Sequence, residues 1–134
     1  SRRLLWSKIL ADEIRTTTIH QGVLIVYLAN QQILGLNDNG QQLWQQYLPT
    51  ESIAGDRFIP CIIKNSDDPR LDRSIIVIPS RRGISILDPV RGETLSSLTL
   101  KQDLNALSVY DSFTNCFYAV VDNAVLCIEL KIVN

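Results

Sequence analysis

The chain has 134 residues, with Lys+Arg 13 against Asp+Glu 14, a formal net charge of −1, 46% hydrophobic and 20% charged residues. That is one domain's length and ordinary globular composition, which excludes a disordered tail and a nucleic-acid binder working through bulk positive charge. Methionine is absent and the first residue is Ser1, so the chain is expected to have lost its initiator or to be a segment of something longer.

Residues 1–10 open with Leu4, Leu5 and Trp6, followed at once by Ser7 and Lys8. That pattern is not expected of a signal peptide. The run Leu5-Trp6-Ser7-Lys8-Ile9-Leu10 begins and ends with leucine and carries tryptophan second. The longest apolar run, Val23 to Ala29, is far short of the roughly 18–20 residues that span a bilayer. Leu24–Leu28 is apolar at consecutive positions, which predicts a strand covered on both faces. Asn30-Gln31 reads as a hairpin connection, Ile33–Leu36 as the next strand, and Asp38-Asn39-Gly40 as a turn. Leu43-Trp44-Gln45-Gln46-Tyr47-Leu48 then repeats the opening pattern of residues 5–10.

The same order recurs downstream. Ile75–Ile78 matches the strand, Arg81-Arg82-Gly83 the hairpin, and Ile84 to Leu95 the strand and turn, with Gly92 falling on Gly40. Leu95-Ser96-Ser97-Leu98-Thr99-Leu100 keeps the two leucines and loses the tryptophan. Cys116–Ala124 and Val125–Leu130 begin a third copy, turning at Asp122-Asn123. The equivalent positions Ile33, Ile84 and Val125 lie 51 and 41 residues apart. The difference of ten is the polar stretch Lys64 to Arg73, read as an insertion. Each copy reads as four short strands rich in Ile, Val, Tyr and Leu. Strands buried on both faces, in sheets stacked about an axis, are the blades of a β-propeller.

These copies resemble the PQQ-like (quinoprotein-type) propeller repeat. The matching residues are Val26, Tyr27, Leu34, Leu36, Asn37, Gly40, Leu43 and Trp44. In the second copy they are Val77, Ile84, Ile86, Leu87, Asp88, Gly92 and Leu95. The WD40 repeat is the near neighbour, but its Gly-His and Trp-Asp signatures are absent. The resemblance implies an all-β fold: a β-propeller segment of about three four-stranded antiparallel blades, incomplete as a ring. Residues 1–10 become the outer strand of a preceding blade. Residues 11–48 form a blade, 49–100 a blade with the inserted loop 64–73, and 101–134 a blade lacking its outer strand. Propellers typically have about four to eight blades, so completion by more chain, a partner or self-association is expected.

Quinoprotein dehydrogenases of this fold carry adjacent cysteines, a stacking tryptophan and acidic calcium ligands. Cys61, Cys116 and Cys127 are not adjacent, and Trp6 and Trp44 fall at the repeat's own packing position. No cofactor is therefore assigned. An odd cysteine number leans towards a reducing compartment such as the cytoplasm. If the last hairpin turns at Asp122-Asn123, Cys127 faces Tyr118, which leaves Cys116 diagonal and a disulfide there geometrically strained. His20, the lone histidine, lies at a turn with no nucleophile partner, and no metal cluster can be assembled around it. No catalytic residue is named.

The candidate partner-binding residues are charged and lie in loops. Asp67, Asp68, Arg70 and Arg73 belong to the inserted stretch. Asp67-Asp68 lacks regular calcium-ligand spacing. Arg81 and Arg82 form a basic turn suited to an acidic protein surface or to keeping sheet edges soluble. The expected function is a non-catalytic protein-binding scaffold, with no nucleic acid and no membrane span. The alternative is a ligand- or peptide-sensing propeller joined to an enzyme on further chain.

Overall fold

The protein is described by a computed structural model covering residues 2–48, 58–65 and 67–130. Among these residues, three antiparallel sheets follow one another along the chain. The first holds β1 (Ile14–His20), β2 (Val23–Leu28), β3 (Gln32–Leu36) and β4 (Gln42–Tyr47), in that spatial order. The second repeats it with β5 (Ile59–Ile63), β6 (Arg73–Ser80), β7 (Gly83–Leu87) and β8 (Thr94–Thr99). The third has β9 (Ala106–Leu107), β10 (Cys116–Val121) and β11 (Ala124–Glu129), with β10 in the middle. The beginning of the expected second blade, 49–57, and residues 131–134 lie outside the described residues.

The turns follow from local chemistry. His20 pairs with Val23 across Gln21 (φ 52°) and Gly22 (φ 78°), the doubly left-handed pair that matches strand twist. Asp122 takes φ 48° between the paired Val121 and Ala124. Asn37 Oδ1 accepts from the amides of Asn39 and Gln41, both at 2.9 Å. Asp88 Oδ1 accepts from those of Val90 at 2.9 Å and Arg91 at 3.3 Å. Such side-chain caps close turns that the strands leave open.

The middle strands of the first two sheets, β2 and β6, are buried on both faces, as their continuous apolar runs require. Ile76 and Ile78 pack with Val23, Ile25, Tyr27 and Ile33 of the first sheet. Ile75 and Val77 point the other way, to Phe117, Ala119 and Val121 of the third. This is the strand period of two. Each fully buried aliphatic or Phe side chain stabilises the stack by about 1.5–3 kcal/mol. Val26, Leu28, Leu34 and Leu36 cover the far face of the first sheet, with Leu10 packed against them.

One tryptophan latches the first sheet to the second, and another holds the N-terminal segment to the first. Trp44, on β4, donates its indole N–H to Pro89 O of the second sheet at 2.7 Å. A Cβ on Gly92 would lie 2.4 Å from the Trp44 ring, so this turn must be glycine. Gln46 donates to the Gly92 carbonyl. Trp6 makes the same contact one sheet earlier, donating to Asp38 O at 2.8 Å and lying against Gly40. Both tryptophans are thus packing residues.

Residues 2–10 pair with no strand among the described residues. A strand needs a hydrogen-bonding neighbour, and no described sheet precedes this segment. It docks through side chains instead, by Trp6, Leu10 and Lys8, whose Nζ donates to Gly40 O at 3.1 Å.

Candidate interaction surface

Antiparallel order sends alternate connections to opposite ends of the sheets. The loop 64–72 and the turn 88–93 leave one end; Arg81-Arg82 and the 100–105 connection leave the other. The structure therefore divides the six charged residues singled out in the sequence. It brings Asp67, Asp68, Arg70 and Arg73 together and places Arg81 and Arg82 away from them.

The loop between β5 and β6 is internally wired. Asn65 Oδ1 accepts from the amides of Asp67 and Asp68, at 3.0 and 3.1 Å. Asp72 Oδ1 accepts from Asn65 N at 2.8 Å. Asp68 caps the single 3-10 turn Pro69–Leu71. It also receives the Arg70 guanidinium through Nε and Nη2, each at 3.1 Å. The Arg70 side-chain hydrogen bond holds the Asp68 carboxyl below the usual carboxylate range. Arg73 anchors the loop base, 3.9 Å from the Asp88 carboxylate. Ser66 lies outside the described residues.

At the opposite end, Arg82 Nε and Arg81 Nε donate to the two oxygens of Asp103, at 2.8 and 3.2 Å. Arg82 first, then Arg81, holds the Asp103 carboxyl below its ordinary value. The turn is also tied by backbone, with Leu100 N and Leu104 N donating to Arg82 O and Arg81 O, both at 2.7 Å.

Sequence reasoning missed a residue at the same end of the sheets as the first loop. The connection β9–β10 leaves the same end as 64–72, and Tyr110 and Ile63 pack on one core cluster. Its tip is Phe113, 98% exposed. The tip is rigid. Asp111 accepts from Phe113 N at 2.9 Å and from Thr114 Oγ1 at 3.0 Å. Tyr110 Oη donates to Asn115 Oδ1 at 2.6 Å, and Asn115 sits at φ 58°. The available signal was an aromatic set among turn formers, Asp111-Ser112-Phe113-Thr114-Asn115.

The remaining candidates carry no catalytic geometry. His20 is half-buried at the end of β1, with its Nε2 enclosed and without a hydrogen-bond partner. Desolvation lowers its pKa, and a hydrogen bond to the Cys61 backbone partly offsets this. Burial pushes the Cys61 thiol up to about 12, the reverse of what a nucleophilic thiolate needs. Tyr118 faces Cys127 across the last hairpin, as its turn dictates. All three cysteines are free thiols. The neighbouring Cys116 thiol, foremost, raises the pKa of Cys127. Among the described residues, no group of three or more His, Cys, Asp or Glu side chains could hold a metal ion. No described helix is long and apolar enough to cross a membrane.

With stacked four-stranded sheets, turn-bound tryptophans and an unclosed third sheet, the chain is a β-propeller segment. Known structures share this fold. An N-terminal BBS1 fragment crystallised in complex with ARL6DN superposes with a TM-score of 0.66 at 12% identity, covering 88% of this chain and 37% of that one. BamB from Moraxella catarrhalis matches with a TM-score of 0.57 at 22% identity, covering 87% of this chain and 33% of its own. The chain thus spans about a third of these neighbours' length. No family model and no curated protein matches it.

Proposed function

We propose that the chain is a segment of PQQ-like propeller repeats serving as a non-catalytic scaffold for protein–protein interaction within a larger assembly. In this reading 1–10 belongs to a preceding blade, 11–48 and 49–100 are blades, and 101–134 is a blade without its outer strand. The observation that carries the function is the pair of hydrogen-bonded loops at one end of the sheets. They hold Phe113 out in water at the same end of the sheets as Asp67, Asp68 and Arg70. Preordered loops lose little entropy on binding, and an aromatic tip is a common energetic anchor of interfaces. One propeller-fold neighbour was crystallised with a protein bound, which supports the same use of the fold. Arg81 and Arg82 serve as a second, rim-like contact on the opposite end.

The test is affinity for a partner first recovered with the wild-type chain and then purified. Phe113→Ser and deletion of Ser66–Leu71 should each weaken it about tenfold or more, with strand content unchanged by circular dichroism. Undiminished binding by both variants overturns this surface. Turnover of a substrate by the purified chain overturns the non-catalytic reading.

A further inference from the structure

We infer that Arg81 and Arg82 form a receptor for a pair of neighbouring carboxylates on an acidic segment of a protein partner. The inference deepens the second contact proposed above, and rests on that reading in taking the ligand to be a protein.

The fold holds both arginines in place. They are the two residues between Ser80 and Gly83, which pair across the β6–β7 turn. The Arg81 and Arg82 carbonyls accept from Leu104 N and Leu100 N, both at 2.7 Å. Ser80 Oγ donates to Gly83 O at 3.1 Å across the same turn. Asp103, on the flanking connection, gathers the two side chains. Its oxygens accept from Arg81 Nε at 3.2 Å and from Arg82 Nε at 2.8 Å. One carboxylate thus orients both guanidiniums.

The turn itself does not call for arginine. Leu48 N donates to Gln31 O at 2.9 Å in the first sheet, as Leu100 N donates to Arg82 O in the second. Gln31 therefore stands where Arg82 stands, and Asn30 where Arg81 stands. The corresponding turn of the third sheet is Asp122-Asn123, between the paired Val121 and Ala124. Equivalent turns are closed with amide and acidic side chains. Nor do the ion pairs account for the arginines as stabilisers. The Arg81 and Arg82 side chains are 72% and 63% exposed and that of Asp103 is 45% exposed. Pairs so open to water add little to stability.

What the arginines add is binding capacity. Asp103 engages each guanidinium through Nε. The planar Nη end of each can receive a further carboxylate through parallel hydrogen bonds. Asp103 offsets one of the two positive charges, and Lys101, exposed on the same connection, adds another. The site is left positive on a chain whose net charge is −1. Its charge is compact rather than extended. Anionic membranes are bound by clusters of about four to eight basic residues, and duplex nucleic acid by rows of phosphate contacts. Two forks held by a single carboxylate suit neighbouring acidic side chains on a protein.

The probe is a fluorescein-labelled hexaglutamate peptide, titrated by anisotropy with the full 134-residue chain at low ionic strength. It should bind, and hexaglutamine should not. Arg81→Gln combined with Arg82→Gln should weaken binding at least about tenfold, with the strand signal by circular dichroism retained. Arg82→Lys keeps the charge, loses the fork, and should weaken binding about threefold. Arg15→Gln combined with Arg91→Gln removes the same charge elsewhere and should leave affinity within about twofold. Hexaglutamate that fails to bind, or that binds the Arg81–Arg82 double variant as tightly, overturns the inference. Full affinity in Arg82→Lys overturns the fork geometry. Tighter binding of phosphatidylserine vesicles or duplex DNA overturns the choice of ligand. No natural partner enters this assay, so its failure leaves the Phe113 surface standing, and loss of that surface leaves the arginine pair standing.

Discussion

Trp44 lies between two glycines. Gly35 sits opposite it on β3, where a Cβ would come within 2.3 Å of the indole, and Gly92 sits beneath it on the next sheet. Ring packing and one N–H bond can be separated by mutation. Trp44→Phe keeps an aromatic ring and removes the bond to Pro89 O, so a loss of about 1 kcal/mol is expected. Gly92→Val adds a side chain at φ +73° against the same ring and should cost about 2 kcal/mol or more. Urea unfolding of the two variants checks both the order and the sizes. His20 gives a pH dependence. Its folded pKa is depressed, chiefly by desolvation, so the unfolded chain binds the proton more readily. Stability is then level above the unfolded value of about 6.5, falls as acid passes through the window below it, and levels off beneath the folded value. His20→Gln should flatten thermal unfolding midpoints between about pH 7 and the acid side of that window. An unchanged slope would assign the effect to other groups.

At the scale of elements, the loop 64–72 and the hairpin it joins have separate roles. Ile63 pairs directly with Arg73 at its base, and the first sheet closes the equivalent hairpin with Gln21 and Gly22 alone. Replacing 64–72 with Asn-Gly should leave stability within about 1 kcal/mol, since shortening a surface loop changes closure entropy little. Matching denaturation midpoints would show this, and a collapse of strand signal would contradict it. The turns were legible because their side chains act locally. Asn37 and Asp88 each cap their own backbone within four residues. The Phe113 loop was not legible, because its importance is exposure. Nothing in residues 111–115 themselves says that a neighbouring sheet leaves the ring uncovered.

For the whole molecule, stacking order is set by strands that are apolar on both faces. Among the described residues, the second sheet lies between two other sheets, which is why Ile75, Ile76 and Val77 are wholly enclosed.

The sequence by itself determined the strands, the hairpin chemistry and the four-strand repeat, because these depend on residues a few places apart. It also marked Trp6, Trp44, Gly40 and Gly92 as equivalent pairs, since a repeat exposes its own register. Only the tertiary structure decided which glycine receives which indole, as the Trp44 bond to Pro89 spans 45 residues. It alone put Phe113 at the same end of the sheets as the 64–72 loop and Arg81 and Arg82 at the far end. Those outcomes depend on how antiparallel sheets alternate their connections and stack, which no local pattern encodes. The segment 5–10 shows the difference most directly: its side chains follow the sequence pattern into place, while its backbone pairs with no strand among the described residues.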